Sequence, residues 1–319
     1  MEAQRYPRTG TGLQLSHAQN FLYNPAFVER LIALADIAVS DLVVEIGPGK
    51  GIITQQLAQK AGRVLAVEVD HRLAERLRQR FAEAPNVEVI GADFLAWPLP
   101  DMPYKVFSNI PFNRTADILN RLLLAKNPPQ EAYLIMQAAA AGKFTGPPHY
   151  PMTQTAALFA PFYDMRVLAP IGRRNFRPIP AVDAVLARFA LRQQPLIGPA
   201  HQAAYRDFII YTYNQWQPTA LAGLSAIFSL SQSTQIEQQL GLTGLKPSQL
   251  SIDQWLGLFD AFLAFVPEHK KRRVTGSEQR HQLKHQHMQK RWRTSEAFGR
   301  SGQPAAKPSR PSARRKIGQ

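Results

Sequence analysis

The stretch "YKVFSNIPFNRTADIL", Tyr104 to Leu119, closes an apolar run with Asn109, Ile110, Pro111 and Phe112 before a helix-like pattern resumes. Packing alone does not ask for an amide, a proline and a phenylalanine in that order. Together they suit alkylation of the exocyclic amine of an adenine. That amine is a poor nucleophile, because its lone pair is delocalised into the ring. Two acceptors aimed at its hydrogens would draw the nitrogen toward tetrahedral geometry and favour the transition state over the ground state. The side-chain oxygen of Asn109 is one such acceptor and the carbonyl of Ile110 a second. Pro111 fixes φ and stiffens the turn. Phe112 offers a flat apolar face for a base, a contact worth about 1–3 kcal/mol. Taken alone, the same residues also read as an Asx-type turn with Phe112 plugging the core.

A second constellation lies upstream. Glu45-Ile46-Gly47-Pro48-Gly49-Lys50-Gly51 sits between an expected strand and an expected helix, where glycines let the backbone turn tightly and a ligand approach the main chain. Glu68 closes the next strand 21 residues after Gly47, placed to accept from ribose hydroxyls, and Asp93 ends the third strand on the same edge. The spacing is G-x-G-x-G. A pyrophosphate favours G-x-G-x-x-G with its open helix N-terminus, so a nucleoside without phosphates, such as S-adenosylmethionine, fits better than NAD. There is no G-x-x-x-x-G-K-[ST], which argues against ATP hydrolysis.

These residues need a scaffold that brings strand ends together. "LVVEIGPG" (42–49), "RVLAVEVD" (63–70), "VEVIGAD" (87–93), "YKVFSNI" (104–110) and "AYLIMQ" (132–137) read as strands. Helical patterns at "GIITQQLAQKAG", "HRLAERLRQRFAEA", "TADILNRLLLA" and "AAAAGKF" alternate with them. That alternation predicts an α/β fold, a doubly wound parallel sheet covered on both faces. "FYDMRVLAPI" and "DAVLARFALR" read as an edge pair joined through "RRNFRPIPAV". The expected boundaries are a catalytic domain over 1–193, a small all-helical domain over 194–268 and a basic, disordered tail over 269–319.

Charge follows the same division. Between 270 and 319 there are fifteen Lys or Arg against two Glu, so almost all of the formal +15 belongs to the tail. "KKRR" (270–273) and "QKRWR" (289–293), with Trp292, would add sequence-independent attraction to RNA, and a purely solubilising extension is the alternative. "RRNFR" (173–177) could contribute phosphate contacts from the folded body. His281, His285 and His287 resemble a metal cluster, but they lack cysteine or carboxylate partners at ligand spacing and sit among cations, so no metal is expected. The chain has no cysteine, its opening "MEAQRYPRTGTG" has no leader-like apolar stretch, and no apolar run approaches about 18 residues. A cytoplasmic protein with no membrane contact is expected.

The motifs "AQNFL", "EIGPGKG", "VEVD", "GADFL", "NIPF" and "FRPIPAVDAVL" together resemble the ribosomal RNA adenine N6-methyltransferases, from His17 to about Phe265. Within that group the chain looks closest to the Erm family, the erythromycin-resistance methylases, which are related to the KsgA-type dimethyladenosine transferases. The isoleucine and phenylalanine of "NIPF" lean toward Erm, since KsgA-type enzymes usually carry leucine and tyrosine there.

The resemblance implies a class I methyltransferase fold, Rossmann-like with a mostly parallel seven-stranded sheet, using S-adenosyl-L-methionine. It implies that Asn20 and Leu22 close over the methyl donor, Gly47 and Gly49 line its methionine end, Glu68 holds the ribose and Asp93 the adenine amino group. Asn109 would touch donor and target alike. The implied target is an adenine of large-subunit ribosomal RNA, met by a monomer before full assembly. Its methylation would obstruct macrolide, lincosamide and streptogramin B antibiotics. The competing readings are a KsgA-like enzyme of small-subunit RNA and a non-catalytic nucleic-acid-binding factor on the same fold. One departure from the family is "QAAAAGKF", whose four alanines stand where polar or charged residues are usual and remove possible RNA contacts.

Overall fold

The computed structural model describes residues 20–147 and 149–284. The expectations placed on residues 17–19, on the 289–293 cluster with Trp292, and on His285 and His287 lie outside the described residues.

The chain opens with β1 (Phe21–Leu22) and α1 (Pro25–Ile32), then alternates through β2 (Leu42–Ile46), α2 (Ile52–Ala58), β3 (Arg63–Glu68), α3 (His71–Arg80) and β4 (Val87–Gly91). It continues with β5 (Lys105–Asn109), α4 (Thr115–Leu123), β6 (Glu131–Gln137), α5 (Ala138–Thr145) and α6 (Gln154–Phe159). Then come β7 (Tyr163–Ile171), β8 (Phe176–Arg177) and β9 (Ala184–Leu191). The helices α7 (Gln202–Tyr213), α8 (Ala220–Gly223), α9 (Leu230–Leu240), α10 (Ile252–Phe265) and α11 (Glu268–Lys271) complete the order, and residues 277–284 are helical as well.

Seven strands form one sheet in the order β4-β3-β2-β5-β6-β9-β7. β4, β3, β2, β5 and β6 run parallel, while β9 lies antiparallel between β6 and β7. All five residues of β2 are buried, as a strand covered on both faces requires. Its alternation divides the core. Leu42, Val44 and Ile46 join the α4 and α5 side with Val67, Val106 and Leu119. Val43 faces the α1 and α2 side with Val28, Leu57, Val64 and Phe107. From β2 the chain winds outward through β3 and β4, then returns beside β2 as β5, so the winding reverses between β2 and β5. In open sheets that reversal opens a crevice at the carboxyl strand ends.

Helix starts are specified locally. Asn24 accepts from the Phe27 N–H before Pro25-led α1, and Asp70 accepts from Arg72 and Leu73 at the start of α3. Ser229 with Gln232, and Ser251 with Gln254, form capping boxes on α9 and α10.

The structure departs from the expected boundaries in two places. α6 lies within the expected catalytic span, yet Ala156, Ala157 and Leu158 share a core with Tyr205, Phe208, Trp255 and Phe259. The Tyr205 hydroxyl donates to the Ala157 carbonyl at 2.9 Å. α6 is therefore the helix on which the C-terminal helices pack. The basic extension also does not start at 269. Val274 and Ser277 are buried, Asp207 accepts from the N–H groups of Gly276 (2.7 Å) and Glu278 (2.8 Å), and Arg206 pairs with Glu278 at 2.5 Å. Those two α7 residues anchor residues 272–284, a long-range partnership that sparse apolar periodicity conceals.

The linker "RRNFRPIPAV" also contains β8, which pairs antiparallel with β1 through Phe21↔Arg177 and Leu22↔Phe176. Among the described residues no helix is long and apolar enough to cross a membrane.

Candidate active site

The crevice is assembled from strand ends that the fold brings together. Ser108, buried in β5, donates to the Ile46 carbonyl of β2 at 2.5 Å, tying the strand that ends at Asn109 to the one that enters the glycine turn. The Gly47 N–H donates to the Val67 carbonyl at 2.9 Å, which joins the turn to the end of β3. Gly47 takes φ +64° and Gly49 +57°, backbone that other residues adopt only with strain. A Cβ on Gly47 would meet nothing within 4 Å, so open space lies directly over the backbone. A Cβ on Gly49 would stand 2.4 Å from the Phe21 ring, so that glycine allows the first strand to lie down on the turn.

Glu68 is fully buried, with one carboxylate oxygen accepting from the Gly49 N–H and the other from the Asp70 N–H, both at 3.0 Å. The acidic strand end thus holds the glycine turn as well as lining the crevice. Asp93 accepts from the Leu95 N–H at 2.9 Å, which fixes the loop after β4. One cavity is bounded by Gly47, Glu68, Val69, Asp93, Phe94 and Pro111. A second is bounded by Asn20, Phe21, Gly47, Asn109, Ile110, Pro111 and Phe112. Gly47 and Pro111 belong to both.

Asn109 is the residue whose bonding stands out. Its amide nitrogen donates to the Asn20 carbonyl at 2.8 Å, and a carbonyl accepts only from the NH2 end. The Oδ1 atom must therefore point the other way. It is buried and has no hydrogen-bond partner among the described residues. A buried acceptor left unpaired costs about 1–3 kcal/mol, so such an atom at a cavity wall marks a place kept for a ligand donor. The neighbouring Ile110 has a buried side chain, and its N–H donates to the Ile135 carbonyl at 3.2 Å.

The four residues of the turn and Asn20, Gly47, Glu68 and Asp93 are all brought to the crevice, and Gly49 joins it through its bond to Glu68. Leu22 is different. Its side chain is buried in the core under α1 with Phe176, so it closes over nothing, and the alternation of β1 sends Phe21 to the cavity instead. Phe112 is only half-exposed. Its ring packs partly on the same core while lining the second cavity, so the plugging and stacking readings of the turn meet in one side chain.

Sequence reasoning also passed over Glu45. It is buried, accepts from the Thr54 hydroxyl at 2.6 Å, and lies near Glu68. Burial, aided by the Glu68 charge and opposed by the Thr54 hydrogen bond, pushes its carboxyl up to about 8. Its place directly before Ile46-Gly47 was the available signal.

The open space over Gly47, the carboxylates of Glu68 and Asp93, and the unpaired oxygen of Asn109 fit a methyl-donor nucleoside beside an amine-bearing base. Comparison with known proteins gives the family. Residues 12–262 match the family described as ribosomal RNA adenine dimethylase, and the chain belongs to it. A Streptomyces thermotolerans rRNA methyltransferase is 39% identical over 193 residues, 60% of this chain and 64% of that protein. The ribosomal RNA small subunit methyltransferase A of Streptococcus equi subsp. zooepidemicus is 31% identical over 270 residues, 80% of this chain and 93% of that protein. The crystal structure of the 23S rRNA methyltransferase ErmE superposes with a TM-score of 0.71 at 28% identity, covering 76% of this chain and 99% of that one. The Rossmann-like class I methyltransferase fold and the kinship with adenine N6-methyltransferases of ribosomal RNA are those that the sequence motifs implied.

Proposed function

We propose that this protein methylates N6 of an adenine in the peptidyl-transferase region of large-subunit ribosomal RNA, and so confers resistance to macrolides, lincosamides and streptogramin B. The observation that carries the reading is the buried, unpaired Oδ1 of Asn109 on the wall of a cavity that shares Gly47 and Pro111 with its neighbour.

S-adenosyl-L-methionine is the fitting donor, and when bound it supplies a methyl group already activated on a cationic sulfur. Glu68 and Asp93 line the cavity suited to its adenosine part, and the open backbone at Gly47 leads toward the second cavity. In that second cavity Asn109 Oδ1 accepts from the amino group of the target adenine, with the Ile110 carbonyl as the other acceptor. The two acceptors favour the pyramidal amine, and Pro111 keeps them from moving apart. Phe112 supports the base plane. No general base is needed to start the reaction: as the N6 lone pair forms the new N–C bond the methyl–sulfur bond breaks, the donor would leave as a neutral thioether, and the methylated amine then sheds one proton to water, with positioning supplying most of the rate.

A target base must leave its stack to enter this cavity, and the same reading has the enzyme meet its RNA in the cytoplasm before subunit assembly is complete. The similarity to ErmE favours the large subunit, while the long match to the Streptococcus equi relative keeps a small-subunit target as the second reading. Primer extension on ribosomal RNA from cells with and without the gene tests this. A new stop, or a gain of N6-methylated adenine by mass spectrometry, in large-subunit RNA is expected; a gain confined to small-subunit RNA, or none by either measurement, refutes the large-subunit reading.

A further inference from the structure

The short ribbon of β1 and β8 has an inner and an outer face. Leu22 and Phe176 point inward and are buried. Phe21 and Tyr23 alternate to the other side, and Arg177 stands opposite Phe21. Phe21 already serves the site, since its ring lies against Gly49 and lines the target cavity. One two-residue step along, about 7 Å away by strand geometry, the Arg177 guanidinium carbon sits 4.6 Å from the centre of the Tyr23 ring. Tyr23 is 49% exposed and Arg177 is exposed too. The guanidinium donates to the Phe176 and Arg174 carbonyls of its own segment, at 3.0 and 3.4 Å, and forms no ion pair among the described residues. The neighbouring Arg173 is committed to Asp183 at 3.3 Å, whereas Arg174 is exposed.

An exposed aromatic ring beside a guanidinium presents a flat apolar face and a positive charge at one place. Unstacked RNA bases rest on aromatic rings and on guanidinium planes, and flanking phosphates are drawn to the same cations. When one adenine leaves its stack for the cavity beyond Phe21, its neighbour in the strand loses a stacking partner at the cavity mouth. We infer that Tyr23 and Arg177 form a stacking plate for the nucleotide next to the methylated adenine. The plate holds the opened strand in place and makes the enzyme responsive to the base beside its target. This inference rests on the methyl-transfer reading above.

The test uses the full chain and an RNA hairpin containing the mapped target adenine, together with hairpins made abasic at either neighbouring nucleotide. For Tyr23→Ala, KM for the intact hairpin is expected to rise about five- to 150-fold, the range set by loss of one stacked base. The dissociation constant for S-adenosylmethionine is expected to stay unchanged, and Tyr23→Phe is expected to keep most of the RNA affinity. One abasic hairpin should already be poor for the native enzyme, and Tyr23→Ala should add little further loss on it. That non-additivity identifies which neighbour stacks. If Tyr23→Ala leaves KM for the intact hairpin unchanged, or weakens intact and both abasic hairpins by the same factor, the plate does not exist and the pair merely braces the ribbon. If the native protein methylates no hairpin at all, the methyl-transfer reading itself fails, and this inference with it.

Discussion

Asn109 divides one amide: its nitrogen donates to the Asn20 carbonyl, and its buried oxygen, without a partner among the described residues, is the acceptor that the proposed reading gives to the target amine. Asn109→Ala removes both. Methyl transfer is expected to fall about 10²–10³-fold in kcat, the usual loss when one preorganised polar group is taken from a transition state. Donor affinity measured by calorimetry should change much less; an unchanged kcat would remove Asn109 from the chemistry. Asn109→Asp should fare no better, because a carboxylate cannot donate to the Asn20 carbonyl and two acceptors would face each other. Gly49→Ala acts on the other side of the crevice. It places a side chain at φ +57° and drives it to 2.4 Å from the Phe21 ring, so turn and ribbon must separate. Calorimetry with S-adenosylmethionine should show a loss of affinity of about five- to thirty-fold, the equivalent of the roughly 1–2 kcal/mol of left-handed strain that the turn relieves by moving away from its binding geometry.

At the scale of elements, the pieces that matter most for the site are short ones. β1 has two residues, β8 has two, and their pairing fixes the Asn20 carbonyl that orients Asn109. Neither was legible as a strand, since two residues carry no periodicity. The longer parallel strands were legible because burial on both faces requires continuous apolar runs. The extension beyond Pro267 shows the opposite limit. Its order comes from Asp207 on α7, which caps residues 276–278 from 69 and 71 positions away. Asp207→Ala is expected to cost about 1–2 kcal/mol, as loss of a helix cap does, and to loosen residues 272–284 before the rest of the chain. Limited trypsin digestion should then cut at Arg272, Arg273 or Arg280 faster than in the native protein. Equal protection of native and variant protein at those bonds would show that the cap is dispensable.

For the whole molecule, the sheet separates two kinds of electrostatics. The carboxyl edge carries the crevice, with Glu45 and Glu68 buried near each other. The amino edge carries an ion network in which Lys105 pairs with Asp41 at 2.9 Å, and Glu131 accepts from Arg188 and from the Tyr133 hydroxyl. The network joins β5, β6 and β9 through opposite charges, whereas the carboxylate pair at the crevice stays compatible because Glu45 is held as the neutral acid. Its folded value of about 8 lies above the ordinary 4.5, so the folded state binds the extra proton. The linked stability is complete below about pH 4.5 and is lost as pH rises toward and through 8. Urea midpoints of the native protein should therefore decline between about pH 5.5 and 8.5 more steeply than those of Glu45→Gln, which keeps a hydrogen bond to Thr54 without a titrating proton. Parallel slopes for the two proteins would show that Glu45 is ionised throughout.

The glycine turn, the acidic strand ends and the Asn-Ile-Pro-Phe turn can be read along the chain because each depends on local backbone chemistry: a left-handed φ, a fixed proline, an amide at a strand terminus. The alternation of strands and helices follows from burial, which is written into the same string of residues. The direction in which Asn109 aims its oxygen is not written there, since it depends on a carbonyl 89 residues away. Nor is the substitution of Phe21 for Leu22 at the cavity wall, which depends on which face of a two-residue strand meets the core. The neutral state of Glu45 likewise needs burial and a carboxylate from the next strand. Those properties belong to contacts between distant segments, and only folding creates them.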